Sequence, residues 1–349
     1  IIFKMDFSLK LIHWYQKNKR DLPWRKTKDP YKIWISEVIL QQTRVNQGLP
    51  YYIKFLNRYP SLYDLSLANE KEVLLLWQGL GYYKRAINLL ESAKTIVKKN
   101  NGNFPSNFDD IIKLKGVGDY TASAISSICY GEKEVVVDGN VFRFISRLFG
   151  IKRDIKLKST FIFFKNKLKF LIENVNPGDF NQALMEFGAL QCMPINPLCN
   201  SCIFKFQCKA YTLKEIESYP QKKNKTIKKK RYLNYIVIST NGNIMLKKRT
   251  EVDIWKNLYE FPLIEGHHSK LEEIINKKKF ILLTKELTKP LKFTKVVTTK
   301  HLLSHQILNI KFWVFSSEEP IKKSVSKDEV INFPKPVVIS DFINKHLKS

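Results

Sequence analysis

The sequence predicts a mainly α N-terminal domain built on a helix-hairpin-helix, followed by a smaller α+β domain. Three observations carry that expectation. Leu114 to Val141 reads as a Gly-x-Gly turn, a small-residue helix and a loop holding Asp138. Four cysteines crowd into residues 192–208. Beyond Tyr232 the apolar spacing changes from helical to short, strand-like runs. At 349 residues, 44% of them hydrophobic, the chain is long enough and apolar enough for two cores.

Charge and hydropathy narrow the function class. The formal net charge of +28 favours a polyanionic partner, with nucleic acid the first candidate. Lysine is abundant everywhere, so compositional bias is the other source of that charge. No run of eighteen apolar residues exists, which argues against a membrane span. The opening IIFKMDFSLK has neither a long apolar stretch nor a small-residue cleavage site, so the expected compartment is the cytoplasm.

The elements follow in order. Residues 8–20 read as a helix begun by Ser8 and stopped by Pro23, with Trp24-Arg25 setting an aromatic beside a guanidinium. Ile33 to Leu40 follows, with Glu37 as its single charge. A carboxylate among apolar neighbours has a raised pKa unless a cation or several donors meet it. Glu37 is thus a candidate general acid or a structural carboxylate paired to an arginine. Gln41-Gln42-Thr43 is read as continuing that helix. Residues 51–63 form a helix and turn. Gly79-Leu80-Gly81-Tyr82-Tyr83-Lys84-Arg85 places aromatics beside cations, which suits bases and phosphates or simple helix packing. Residues 86–99 form an amphipathic helix closed by Asn101-Gly102.

The turn Gly116-Val117-Gly118 is too short for a nucleotide fingerprint. It reverses the chain between helices and aims the N–H groups of Val117, Gly118 and Asp119 outward, a site for a phosphate oxygen. Arg143 and Arg147 lie one turn apart beyond Asp138. Helices are expected at 158–173 and 179–190, the latter carrying Glu186 in an apolar run. Cys192, Cys199, Cys202 and Cys208 are spaced C-x6-C-x2-C-x5-C, a ligand set for zinc or for an iron–sulfur cluster. Cys129 stands apart as a buried packer. Residues 213–231, with Lys222-Lys223-Asn224-Lys225 and Lys228 to Arg231, read as a basic linker. Asn241-Gly242 between two apolar runs signals a hairpin. Residues 270–279 read as one helix, and 296–298 and 307–315 as strands.

Leu22-Pro23-Trp24-Arg25, Ser36 to Thr43, Gly79 to Tyr83, the Gly-Val-Gly hairpin, Val137-Asp138-Gly139-Asn140-Val141 and the four cysteines together resemble the MutY-type adenine DNA glycosylases of the endonuclease III superfamily. The resemblance is strong over about residues 6–212 and weaker over 232–349, where Trp255 to Pro262 resembles a Nudix segment. It implies a mainly α helix-hairpin-helix glycosylase domain (1–212) with a 4Fe–4S loop (192–208), the linker (213–231), and a C-terminal α+β Nudix-like domain (232–349) that recognises 8-oxoguanine. The implied substrate is double-stranded DNA with adenine opposite 8-oxoguanine or guanine, bound by a monomer.

By the same resemblance Glu37 protonates adenine, Asp138 steadies the sugar cation, and Tyr120 and Asn140 position them. Trp24, Arg25, Leu40 and Glu186 line the adenine pocket. Gln42 and Tyr82 contact the opposite purine, Gly116, Val117 and Gly118 hold a phosphate, Ser304 and His305 inspect 8-oxoguanine, and Cys192, Cys199, Cys202 and Cys208 bind the cluster. Two departures matter. The family's Phe-Ser-His is Leu303-Ser304-His305 here, and the lysine that bifunctional relatives place two residues past the second hairpin glycine is Tyr120, so no Schiff base is expected. The acidic helix of a working Nudix hydrolase is absent after Gly266. A bifunctional glycosylase for oxidised pyrimidines, a non-catalytic DNA-binding protein and a nucleotide-pool hydrolase are the rival readings; Tyr120 and the extra C-terminal domain disfavour the first, Glu37 and Asp138 the second, and the missing acidic helix the third.

Overall fold

The computed structural model describes residues 2–221, 227–322 and 324–347. Its contacts divide the chain into two units, Ile1–Leu67 with Asn88–Asn224, and Ala68–Ile87 with Lys225–Ser349. The chain runs through α1 (Ile2–Asn18), a 3-10 turn at Pro23–Arg25, α2 (Pro30–Leu40), α3 (Val45–Arg58), α4 (Leu62–Leu67), α5 (Glu70–Leu76), α6 (Lys84–Asn100), α7 (Phe108–Ile111), α8 (Asp119–Tyr130), α9 (Gly139–Phe149), α10 (Lys158–Ile172), α11 (Pro177–Leu190) and α12 (Lys209–Thr212). The mainly helical expectation holds. Helix starts carry local signals: the side chains of Asp29, Asn69, Asn107 and Asn176 each accept an amide N–H in the first turn. Pro30 and Pro177 occupy first-turn positions, where a missing N–H costs nothing.

The core of the first unit is aromatic and closes around α1, α9, α10 and α11. Phe7, Phe144, Phe164, Phe180, Phe187 and Phe204 are buried there. Two expectations need correction. Ser8 does not begin α1 but lies inside it, donating to the Leu171 carbonyl at 2.7 Å. Local pattern cannot reveal that distant acceptor. Helix α2 stops at Leu40, and Gln42 is outside it with φ +56°.

The second unit contains β1 (Lys229–Thr240), β2 (Asn243–Met245), β3 (Lys247–Lys248), β4 (Tyr259–Glu260), β5 (Leu263–Glu265), α13 (Leu271–Ile275), α14 (Lys278–Thr284), β6 (Lys292–Leu302), β7 (Gln306–Ser316), β8 (Ser324–Ser326) and α15 (Val337–His346). The main sheet has the order β6-β7-β1-β2-β8, with β5 also on β1; β3 and β4 form a separate pair. Asn241 and Gly242, both at positive φ, make the expected hairpin turn. Strands β1 and β7 pair in parallel from Lys229–Gln306 to Ser239–Ser316. Alternation on β1 sends Leu233, Tyr235 and Val237 to the core that includes α15 and Ile236 and Ile238 to the core that includes α13 and α14.

Lys229 to Arg231 belong to β1 rather than to a linker, because β7 supplies their hydrogen bonds. Lys222 to Lys225 of that expected linker lie outside the described residues. The helix expected at 270–279 is two short ones, broken at Asn276-Lys277. Among the described residues no helix is long and apolar enough to cross a membrane.

Candidate active site

Helix α2 positions Glu37. Its first turn is fixed by Asp29 and Pro30, and every residue from Ile33 to Ile39 is buried. Glu37 is 7% exposed. Burial pushes its carboxyl up to about 7; the Tyr120 hydroxyl and Arg25 oppose that push, and the charge of Asp138 adds to it. Tyr120, in the first turn of α8, points its hydroxyl to the Met185 sulfur at 3.3 Å and stands beside Glu37.

Asp138 is the N-cap of α9. One carboxylate oxygen accepts the Val141 N–H at 2.7 Å and the other accepts Asn140 Nδ2 at 2.8 Å. Burial raises its pKa, against the pull of those donors and of Arg143. Asn140 is held in turn by Arg143, whose Nη2 donates to Asn140 Oδ1 at 2.9 Å and to the Gly188 carbonyl at 2.6 Å. The extended run into Asp138 is pinned by Asn181 of α11, which is fully buried. Asn181 accepts the Val136 N–H at 3.0 Å and donates to the Glu134 carbonyl and to Ser127 Oγ, each at 2.8 Å. Gly188 completes the packing: a Cβ there would lie 2.6 Å from the Asn140 carbonyl oxygen. The sequence reading missed Asn181 and Gly188. Their only signals are an amide and a glycine inside an apolar helix.

Glu37, Tyr120, Asp138 and Asn140 line a single cavity of about 170 Å³, far more than one water needs. Trp24, Arg25, Leu40 and Glu186 line it too, so the residues expected around a base are gathered in one place. Glu186 is 1% exposed, and burial alone would raise its pKa. Hydrogen bonds from Arg25 and Arg20 reverse that and hold it at about 2. Arg25 donates to both carboxylate oxygens, at 2.8 and 2.6 Å, and Arg20 does the same at 2.9 and 2.5 Å. Arg20 was missed, since nothing local to it marks the partner on α11.

The remaining candidates sit elsewhere. Gln42 is exposed just past α2. In the hairpin, Gly116 has φ +81° and its place cannot take a side chain, because Asn88 is already 2.7 Å from a Cβ there. Val117 spends its N–H on the Leu114 carbonyl at 3.1 Å, correcting the expectation that it points outward. The amides at the start of α8, beyond Gly118, have no intrahelical acceptor. Tyr82, Ser304 and His305 meet within the second unit. The Tyr82 hydroxyl donates to Ser304 Oγ at 2.8 Å, and Ser304 Oγ is 3.1 Å from His305 Nδ1. Tyr82 follows the Gly79 and Gly81 turns and itself has φ +48°.

Cys192, Cys199, Cys202 and Cys208 are free thiols around one small cavity shared with Phe144, Phe187 and Phe204. Among the described residues, no three His, Cys, Asp or Glu side chains are grouped to hold a single metal ion. Backbone N–H groups of Phe204, and of Tyr211 and Ala210, are directed to the sulfurs of Cys202 and Cys208. Buried Arg147 places Nη1 3.5 Å from Cys192 Sγ and ties the loop through the Met193 carbonyl at 2.6 Å. Four soft donors, amide hydrogens on sulfur and a fixed cation fit an iron–sulfur cluster.

Residues 35–169 match the model of the HhH-GPD superfamily of base excision DNA repair proteins, and residues 234–345 match the NUDIX domain. The adenine DNA glycosylase of Buchnera aphidicola subsp. Schizaphis graminum is 36% identical over 346 residues, covering 95% of this chain and 96% of its own. The chain belongs to the adenine DNA glycosylase family. The family's enzyme from Buchnera aphidicola subsp. Acyrthosiphon pisum is 38% identical over 88% of this chain and 85% of its own. Among solved structures, a thermostable thymine-DNA glycosylase superposes with a TM-score of 0.55 at 30% identity, over 60% of this chain and 97% of its own. As an adenine DNA glycosylase, the protein is a base excision repair enzyme that hydrolyses N-glycosyl bonds in DNA.

Proposed function

We propose that the enzyme excises adenine mispaired with 8-oxoguanine or guanine in double-stranded DNA, and that it is monofunctional. The observation that carries this reading is the sharing of one base-sized cavity by Glu37 and Asp138, two carboxyl groups in different environments. Adenine must leave the duplex before its bond to the sugar can be reached, at a cost of a few kcal/mol. Glu37, half-protonated near pH 7, donates its proton to N7 of the extruded base and makes it a better leaving group. The sugar becomes oxocarbenium-like. Asp138, oriented by Val141 and Asn140, stabilises it by charge or by a transient covalent bond. Tyr120 and Asn140 position the carboxyl groups and the attacking water. Trp24, Leu40, Arg25 and Glu186 hold the base, the last two as an ion pair that keeps the pocket wall fixed.

Residues 1–212 form the glycosylase domain, the stretch from 213 to the start of β1 a basic connection, and the chain from β1 onward the 8-oxoguanine recognition domain. There Ser304 and His305, with Tyr82, read the base opposite adenine; Gln42 contacts it as well. The amides at the start of α8, beyond Gly118, take a backbone phosphate. Cys192, Cys199, Cys202 and Cys208 hold one 4Fe–4S cluster, which supplies a rigid anchor for its loop. The protein acts as a cytoplasmic monomer, at the nucleoid if the chain is bacterial.

Single-turnover assays on duplexes carrying A opposite 8-oxoguanine, A opposite G, T opposite G and thymine glycol test the substrate. Strand breaks are expected for the two adenine duplexes alone, and only after alkali. Alkali-independent cleavage, or a borohydride-trapped lysine adduct, would refute the monofunctional assignment. Excision of thymine in preference to adenine would refute the adenine assignment.

The cluster has its own test. The purified protein is expected to be brown and to contain iron in the amount of one four-iron cluster, and Cys192→Ser to lower the iron content and DNA affinity together. A colourless, iron-free protein that binds DNA normally would remove the cluster from the reading.

A further inference from the structure

A carboxylate stands in the first turn of the helix that the hairpin offers to DNA. Asp119 opens α8, directly after Gly118, and its side chain is 32% exposed. A phosphate held by the amides of that turn would lie within roughly one helical pitch, about 5.4 Å, of this like charge. Repulsion at that range costs binding. The chain answers with a residue far away in sequence. Lys165 of α10 brings Nζ to 2.7 Å from Asp119 Oδ2, and its side chain is only 14% exposed. The same ammonium lies 3.0 Å from Glu134 Oε2 and 4.6 Å from the centre of the Phe108 ring. Phe108 opens α7, the helix before the hairpin turn. Glu134 is also served by Lys169 at 2.7 Å, so Lys165 is not needed to neutralise it.

We infer that Lys165 is a positioning residue for DNA, the counter-charge that cancels Asp119 and lets the hairpin accept a backbone phosphate. The inference rests on the hairpin reading given above. Lys165 does not line the cavity of Glu37 and Asp138, so its role is in binding and not in the chemical step.

The test is a four-protein cycle measured by fluorescence anisotropy on an uncleaved duplex: the parent, Lys165→Met, Asp119→Asn, and both together. A unit charge at this range changes affinity roughly three- to thirtyfold at low salt, and the change shrinks as salt rises. Lys165→Met should weaken binding by that factor and Asp119→Asn should tighten it, while the double variant returns to near the parent. Lys165→Arg keeps the charge and should bind normally. Thermal melting of each folded variant should stay within a few degrees of the parent, which a general loss of structure would not allow. If Lys165→Met alone fails to fold, Asp119→Asn against the double variant still decides, because the first must bind more tightly. Tightening by Asp119→Asn with equal binding by the double variant overturns the role of Lys165 and leaves the hairpin reading in place. No effect of Asp119→Asn removes the phosphate from the hairpin, and the inference falls with that reading.

Discussion

Glu37→Gln is expected to lower adenine excision by roughly 10²–10⁴-fold, the range for a positioned general acid, while the duplex is still bound. Glutamine keeps the shape and the hydrogen-bonding partner Tyr120 but has no proton to give. The parent enzyme should also lose activity as pH rises through about 7, because that is where burial places the Glu37 titration. The variant's residual rate should lack this limb. Stability should move the other way. The folded-state pKa of Glu37 is raised above its ordinary 4.5, so the stability linked to its proton is fully present below pH 4.5 and is lost as pH rises through about 7. Glutamine pays no such penalty. The variant should therefore gain on the parent by about 3 kcal/mol between acid and mildly alkaline pH, measured by denaturant unfolding. A pH-independent difference in stability, or near-normal excision, would remove Glu37 as the buried acid.

Asp138→Asn is expected to be comparably damaging to excision and nearly silent in stability. Asparagine is as good an N-cap as aspartate, so the Val141 N–H keeps its acceptor and α9 keeps its start. What is lost is the negative charge opposite the developing sugar cation, together with the acceptor for Asn140 Nδ2. Losses of about 10²–10³-fold follow from removing one preorganised electrostatic partner. Thermal melting should stay within a few degrees of the parent. An unfolded Asp138→Asn protein would mean that the carboxylate is structural, and full activity would mean that the sugar is stabilised elsewhere.

Much of this was legible before any fold. Glu37 stands out because it is the single charge in the apolar run from Ile33 to Leu40, and burial is what gives it its chemistry. The Gly-x-Gly turn is a signal written in adjacent residues, and the structure uses it in place. Ser8 misled because an apolar helix with a serine near its start looks capped, while its hydroxyl in fact answers a carbonyl 163 residues away. The continuation of α2 through Gln42 misled for the opposite reason: nothing local forces the left-handed backbone that ends it. Arg20, Asn181 and Lys165 were invisible because each is defined by its partner on another helix.

The order of residues alone determined the helical and α+β classes, the cysteine framework, the hairpin and the two carboxyl groups. These rest on periodicity, on φ preferences and on neighbours within a turn or two, all of which are properties of a local stretch of chain. Only the tertiary structure decided that Glu37 of α2 and Asp138 before α9 share one cavity, that two arginines hold Glu186 ionised, and that β1 runs parallel to β7. Those depend on which faces pack together. Desolvation and charge pairing, the terms that set a carboxyl group's proton affinity, have no value until the packing is made.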